Sequence, residues 1–118
     1  MPVVPITYRK GRYEFPTFAL VDSGATGAVI STVVADVLKI SWQKIPKKTG
    51  LSTSGAFIFH EATMEVEIYE QSFPIHVSIV EGISPFKCIL GQADIFQKAK
   101  ITFERYKYEF QMEFRRLN

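Results

Sequence analysis

The stretch that decides the fold is Phe18-Ala19-Leu20-Val21-Asp22-Ser23-Gly24-Ala25-Thr26-Gly27-Ala28-Val29-Ile30. An apolar run carries one carboxylate, Asp22, into a turn of small residues, and a second apolar run follows. Gly24 and Gly27 let another backbone approach closely because they have no side chain. A carboxylate at the end of a buried strand costs free energy unless it is hydrogen-bonded or functional. Asp22 is therefore either the cap of a turn or helix, or a catalytic acid.

The composition is that of one globular domain, which we place at residues 1–118. Hydrophobic residues make up 47% of the chain, enough to build a buried core. The chain has 14 Lys and Arg against 12 Asp and Glu, so its net charge of +2 argues against a nucleic-acid partner. The local cluster of Lys44, Lys47 and Lys48 is interpreted as a solvated loop.

The cysteine and histidine content argues against several kinds of site. The one cysteine, Cys88, excludes an intrachain disulfide and is predicted to be a buried, unreactive thiol. With only His60 and His76, a structural zinc site or a Ser-His-Asp triad is hard to assemble, and we expect no metal or cofactor. No run resembles a membrane span or a signal peptide, so we expect a soluble, cytoplasmic protein without a membrane partner.

The residue pattern along the chain predicts a mainly β protein with two short helices. Ser31 is expected to cap a helix at 32–38, and a second helix is predicted at 93–99. The polar segment 47–55 is predicted to be the tip of a hairpin, either ordinary or a mobile lid. The aromatic residues are interpreted as core and His76 as solvated. Strands are predicted at 6–8, 13–21, 28–30, 56–59, 64–69, 73–79 and 86–90, with a tight connection at 70–73 and a closing hairpin at 101–114. Their lengths suit a small closed or folded-over β-barrel.

Two motifs resemble those of the retropepsin-like aspartic proteases, of the single-domain cellular or bacterial type. The first is Asp22-Ser23-Gly24-Ala25, preceded by Ala19-Leu20-Val21, which resembles the Asp-Thr/Ser-Gly-Ala signature of the family. The second, Ile89-Leu90-Gly91, resembles the apolar-apolar-Gly element that packs beneath the active-site loop. The hairpin at 50–59 lies between them, where the family has its flap. The resemblance covers residues 13–114.

This resemblance implies a closed acid-protease barrel with one lobe per chain, and a homodimeric aspartic endopeptidase that cleaves extended peptides. Asp22 would be the catalytic residue. Since the chain has one Asp-Ser-Gly, the second catalytic Asp would come from the other chain. Ser23, Gly24 and Ala25 would form the active-site loop, with Ser23 bonding across the dimer axis and the Gly24 carbonyl meeting substrate.

The resemblance also implies flap contacts from Ser54 and Gly55. One departure concerns Thr26 and Gln92, which stand where viral members place an acidic residue and an arginine that pair near the dimer interface. Two alternatives therefore stay open. The chain could be a non-catalytic dimerisation or peptide-binding module with this fold, or a small β-barrel unrelated to proteases in which Asp22 is a turn residue.

Overall fold

The computed structural model describes residues 3–22 and 27–91. These residues form seven strands, a short α-helix and a 3-10 helix. The elements in chain order are β1 (Val3–Lys10), β2 (Tyr13–Val21), β3 (Ala28–Ser31), α1 (Thr32–Val37), the 3-10 helix (Trp42–Lys44), β4 (Lys48–Ser52), β5 (Gly55–Ile68), β6 (Gln71–Val80) and β7 (Ile89–Leu90).

The strands belong to one sheet whose pairing returns to its starting point. Its order is β1-β2-β7-β3-β6-β5-β4, and β1 also pairs with β5. Six strands therefore form a closed circuit, with β4 attached to the outside of it along β5. The short β7 lies between β2 and β3, parallel to β2 and antiparallel to β3. This position matters for the site because β2 and β3 flank the Asp22 segment.

The core follows from strict alternation along the strands. Every second side chain is buried in the segments 4–8 of β1, 64–68 of β5 and 75–79 of β6, as expected when one face of a strand is turned away from water. The largest fully buried apolar side chains include Tyr8, Ile30, Leu38, Ile68, Ile79 and Leu90. The prediction of a mainly β, single-lobe fold is confirmed.

Helix α1 begins where the sequence predicts. The side chain of Ser31 accepts a hydrogen bond from the backbone N–H of Val34 at 3.2 Å, which satisfies one of the free donors of the first turn. Val34 and Ala35 are buried against the sheet. Trp42 packs against the core as predicted, and its indole N–H donates to Asp36 at 2.9 Å.

The β4–β5 hairpin is longer and more regular than predicted. The predicted strands at 56–59 and 64–69 are one continuous strand, Gly55–Ile68, because its first part pairs with β4 and its later part with β6. Most of the predicted tip is strand Lys48–Ser52. Gly50 lies within that strand opposite Phe57, so only Gly55 is next to the turn.

Other predictions differ in detail. The β5–β6 connection is the two-residue turn Tyr69–Glu70, earlier than the predicted 70–73. The predicted strand 86–90 is reduced to Ile89–Leu90. The interpretation of the aromatic residues as core is wrong for Phe18 and Phe86, which are 64% and 88% exposed. The helix predicted at 93–99 and the hairpin at 101–114 lie outside the described residues. Within the described ranges, no helix is long and apolar enough to cross a membrane.

Candidate active site

Asp22 directly follows the last residue of β2, and its backbone is fixed to β7. Its N–H donates to the carbonyl of Leu90 at 3.0 Å, and the N–H of Leu20 donates to Cys88 at 2.9 Å. The parallel pairing of β2 with β7 stops at this point, which leaves Asp22 as the first residue of the connection to β3. Its side chain is half-buried. Strand pairing therefore delivers this carboxylate to the rim of the barrel.

The far end of the same segment is held by a contact between two glycines. Gly91 is buried, and a Cβ placed on it would lie 2.4 Å from the carbonyl oxygen of Gly27 and 2.7 Å from its nitrogen. Real side chains do not tolerate such distances to backbone. Strand β3 follows, and Val29 is paired with Ile89 of β7. Both ends of the segment 22–27 are thus anchored to β7 and Gly91.

A cleft of about 930 Å³ opens beside Gly27. It lies between the β4–β5 hairpin and the outward side of β3 and β6. The described residues that line it are Gly27, Ala28, Val29, Thr49, Gly50, Leu51, Ser52, Phe57, Phe59, Glu61, His76, Val77, Ser78 and Val80. Its volume lies within the range of ligand-binding clefts in proteins.

Two aromatic rings of the β4–β5 hairpin line the cleft. Phe57 and Phe59 point to the same side of β5, with ring centroids 5.7 Å apart. The ring of Phe57 lies across Gly50, where a Cβ would come within 2.4 Å of it. The glycine therefore makes room for the ring within a regular strand pair. This arrangement provides an apolar surface for ligand side chains.

The part of the cleft that is lined by Glu61 and His76 is polar and charged. Glu61 accepts from Lys48 at 2.7 Å, and His76 is exposed, as predicted. Lys48 belongs to the cluster interpreted as a solvated loop, but it is the first residue of β4. Among residues 3–22 and 27–91, no group of three or more His, Cys, Asp and Glu side chains is placed to hold a metal ion.

The tip of the β4–β5 hairpin is exposed, and serine hydroxyls form hydrogen bonds across it. The hydroxyls of Ser52 and Ser54 are 3.1 Å apart, and that of Ser52 also donates to the carbonyl of Gly55 at 3.1 Å. Gly55 has a φ of 118°, which disfavours any other residue.

Beneath the site, Cys88 and Tyr8 are buried next to each other. Burial raises the pKa of the Cys88 thiol, and the neighbouring Tyr8 hydroxyl offsets part of this shift. Burial also raises the pKa of the Tyr8 hydroxyl, with a further contribution from Cys88. A thiol that resists ionisation is a weak nucleophile, so the structure agrees with a structural role for Cys88.

Solved structures with the same arrangement identify the fold. The EIAV protease in complex with the inhibitor HBY-793 is similar with a TM-score of 0.56 and 16% sequence identity, covering 76% of this chain and 80% of that one. The retroviral protease-like domain of Ddi1 from Leishmania major is similar with a TM-score of 0.58 and 19% identity, covering 77% of this chain and 71% of that one. The fold is retropepsin-like. No protein-family model and no curated protein matches the sequence.

In this retropepsin-like fold, the predicted site residues divide into three groups. Asp22 lies at the rim, on the segment that ends at the cleft, although it is not among the described residues lining that cleft. Ser54 and Gly55 lie at the hairpin tip, outside the described lining. Ser23, Gly24 and Ala25 lie outside the described residues.

Sequence reasoning missed the residues that give the hairpin its shape. Phe57 and Phe59 were assigned to the core, although their i, i+2 spacing also fits one face of a strand that projects beyond the core. The buried His60, directly after Phe59, was also missed. Its role depends on partners far away in sequence, so no local signal marks it.

Proposed function

We propose that this chain is one half of a homodimeric aspartic endopeptidase, with Asp22 as the catalytic residue of each subunit. The observation that carries the proposal is the placement of Asp22. The backbone N–H of Asp22 donates to the carbonyl of Leu90 at 3.0 Å. Asp22 begins a segment that ends beside a cleft of about 930 Å³. The similarity to EIAV protease, which was solved with an inhibitor bound, supports this reading of the cleft.

The chemistry requires two carboxylates that share a proton, as in the aspartic-protease dyad. One carboxylate takes a proton from water while the other protonates the scissile carbonyl. The sequence has one Asp-Ser-Gly, so the second Asp22 would come from a partner copy. A two-fold axis beside the segment would place the two copies face to face. Activity is expected to favour acidic or mildly acidic solutions.

The remaining assignments follow from the resemblance. Ser23 would bond across the two-fold axis, and Gly24 and Ala25 would meet the substrate backbone. An extended peptide would bind along the cleft by adding to strand edges. The β4–β5 hairpin would act as the flap, with Phe57 and Phe59 receiving apolar side chains. Residues 1–118 would act as one domain, in the cytoplasm and without a cofactor.

The second candidate is a peptide-binding or dimerisation module without catalysis. Thr26 and Gln92 favour it, because the charged pair that viral members place near the dimer interface is missing from both positions. Such a module would keep the cleft and its affinity for extended peptides. It would not hold two Asp22 carboxylates within hydrogen-bonding distance.

Peptide cleavage by matched variants tests the proposal. Cleavage of a fluorogenic peptide library is expected from the wild-type chain and not from Asp22→Asn. Glu65→Gln removes the same charge from the exposed face of β5 and should cleave normally. Thermal unfolding confirms that each variant is folded. Equal cleavage by the wild type and Asp22→Asn would reject catalysis by Asp22, and binding without cleavage would favour the second candidate.

A further inference from the structure

The outward face of β1 and β2 carries a patch of exposed apolar side chains. Phe18 is 64% exposed and Val3 is 56% exposed. Pro5 is directly opposite Phe18, and both Pro5 and Pro16 are exposed. None of the four is among the described residues that line the cleft beside Gly27. Single apolar side chains are normal on a protein surface, but a continuous apolar patch marks an interaction site.

A groove lies between this apolar patch and the turn that joins β5 to β6. β1 pairs with β5 only from Thr7 to Arg9, and Thr7 is directly opposite Glu67. From Thr7 toward the start of β1, no described strand pairs with β1 on that side. The turn Tyr69–Glu70 borders the gap, which has a volume of about 510 Å³. We call this gap the β1–β5 groove, and its volume lies within the range of ligand-binding clefts.

Strand register places the charged and apolar parts of the β1–β5 groove next to each other. Residues that are directly opposite on neighbouring strands point to the same side of a sheet. Glu67, Thr7 and Pro16 therefore form one row on the outward face, and Pro5 and Phe18 form the next row. Successive outward residues of a strand are roughly 7 Å apart. An extended ligand would meet the two rows with side chains that are two residues apart.

The side of the β1–β5 groove that β5 forms is acidic. Glu67 and Glu70 line it, and the described lining contains no Lys, Arg or His. Arg9 donates to both Glu67 and Glu14, so this trio keeps one negative charge. Glu70 is exposed and forms no ion pair with a described residue. Because the chain has a net charge of +2, the negative charge of the groove is a local feature.

We propose that the β1–β5 groove docks an extended segment of a partner protein that carries a large apolar residue and an arginine or lysine two residues apart. The apolar side chain packs on Phe18 and Pro5, where it removes exposed apolar surface from water. The cation pairs with Glu67 or Glu70. Asp22 takes no part in this docking, so the inference does not rest on the proposed function.

Charge and backbone chemistry disfavour a second copy of this chain as the occupant. Two copies that met groove to groove would bring Glu67 and Glu70 close to the same carboxylates of the partner copy. Pro5 has no backbone N–H, which interrupts strand addition along the open edge of β1. The same carboxylates would be repelled by an anionic membrane surface. A basic and apolar peptide is complementary to both parts of the groove.

Selection from an unbiased peptide library tests the proposal. Short random peptides displayed on phage are selected against the full chain carrying Asp22→Asn, so that none is cleaved. In that chain, Phe18→Ser removes the apolar surface and Glu70→Gln removes the exposed charge. Phe86→Ser and Glu65→Gln are the matched controls, since both residues are exposed and lie outside the described lining of the groove. Thermal unfolding confirms that each variant is folded.

We expect the selection to enrich peptides that have a large apolar residue and an arginine or lysine two residues apart. Fluorescence anisotropy then measures the Kd of a synthetic copy of the most enriched peptide. Phe18→Ser should raise this Kd about ten-fold, because the apolar contact is lost. Glu70→Gln should raise it about three-fold, as expected for an exposed ion pair, and added salt should also raise it. The two control substitutions should change it by less than about two-fold.

A selection that enriches no such peptide, or an equal Kd in Phe18→Ser and Phe86→Ser, would overturn the proposal. A dimer seen by sedimentation that only Phe18→Ser dissociates would overturn it in favour of a second copy. If Phe18→Ser fails to fold, the comparison of Glu70→Gln with Glu65→Gln decides. None of these measurements depends on cleavage. A chain that binds the peptides and cleaves none would contradict the proposed function and not this inference.

Discussion

Gly91 and Gly27 are in backbone contact, and only one of the two has room for a side chain. A Cβ on Gly91 would lie 2.4 Å from the Gly27 carbonyl oxygen, whereas a Cβ on Gly27 would meet no atom of residues 3–22 and 27–91 within 4 Å. The contact joins the residue after β7 to the end of the Asp22 segment. The end of the Asp22 segment is therefore packed against a glycine that is far away in sequence.

This asymmetry predicts opposite results for two similar substitutions. Gly91→Ala should lower the free energy of unfolding by at least about 2 kcal/mol, because the clash is with backbone that cannot rotate away. Gly27→Ala should change it by less than about 1 kcal/mol. Urea unfolding measures both values. Equal effects of the two substitutions would show that the glycine contact does not constrain the segment.

The Tyr69–Glu70 turn offers a stabilising substitution. Both residues have positive φ, 50° and 69°, a conformation that favours glycine and asparagine in two-residue hairpins. Glu70→Gly should raise the free energy of unfolding by about 0.5–1 kcal/mol. Glu70→Ala removes the same carboxylate without relieving the backbone and should give no gain. An equal gain from alanine would assign the effect to charge instead.

The buried Cys88 thiol predicts a loss of stability in alkaline solution. Its pKa in the folded protein is raised above the ordinary value of 9.0, mainly by burial. As the pH rises past this value, the unfolded chain releases the thiol proton first, so stability present at lower pH is progressively lost. The melting temperature should therefore fall less steeply between about pH 8 and pH 10 in Cys88→Ala than in the wild type. Parallel slopes would contradict the raised pKa.

Mixing experiments test whether the active unit needs an Asp22 from each chain. When wild-type and Asp22→Asn chains are mixed equally and allowed to exchange subunits, random pairing leaves about one quarter of the dimers with two carboxylates. Activity should fall to about one quarter of that of the same total amount of wild type. A value of about one half would mean that each chain acts independently of its partner's Asp22.

The features predicted correctly are those fixed by local chemistry. The cap of α1 needs only the Ser31 hydroxyl and an amide three residues later. The alternation of β6 is visible in its own sequence. The motif also predicted that Asp22 ends a strand, and Asp22 does follow the last residue of β2.

The features missed depend on distant partners. Residues 60–63 lie between the two predicted strands at 56–59 and 64–69. They are part of β5 because they pair with β6, and this pairing is not visible in their own sequence. Burial of His60 depends on Ile45 and Glu81, which no short pattern connects. The aromatic residues were assigned to the core because a strand pattern does not say which face is covered. Phe18 and Phe86 show the error most clearly.

The separation of the two Asp22 carboxylates in a dimer tests the central claim most directly. A crystal structure of the dimer at mildly acidic pH would measure it. We expect the nearest carboxylate oxygens to lie about 3 Å apart, the separation at which the aspartic-protease dyad shares a proton. A dimer whose two Asp22 carboxylates are too far apart to share a hydrogen bond would contradict the account.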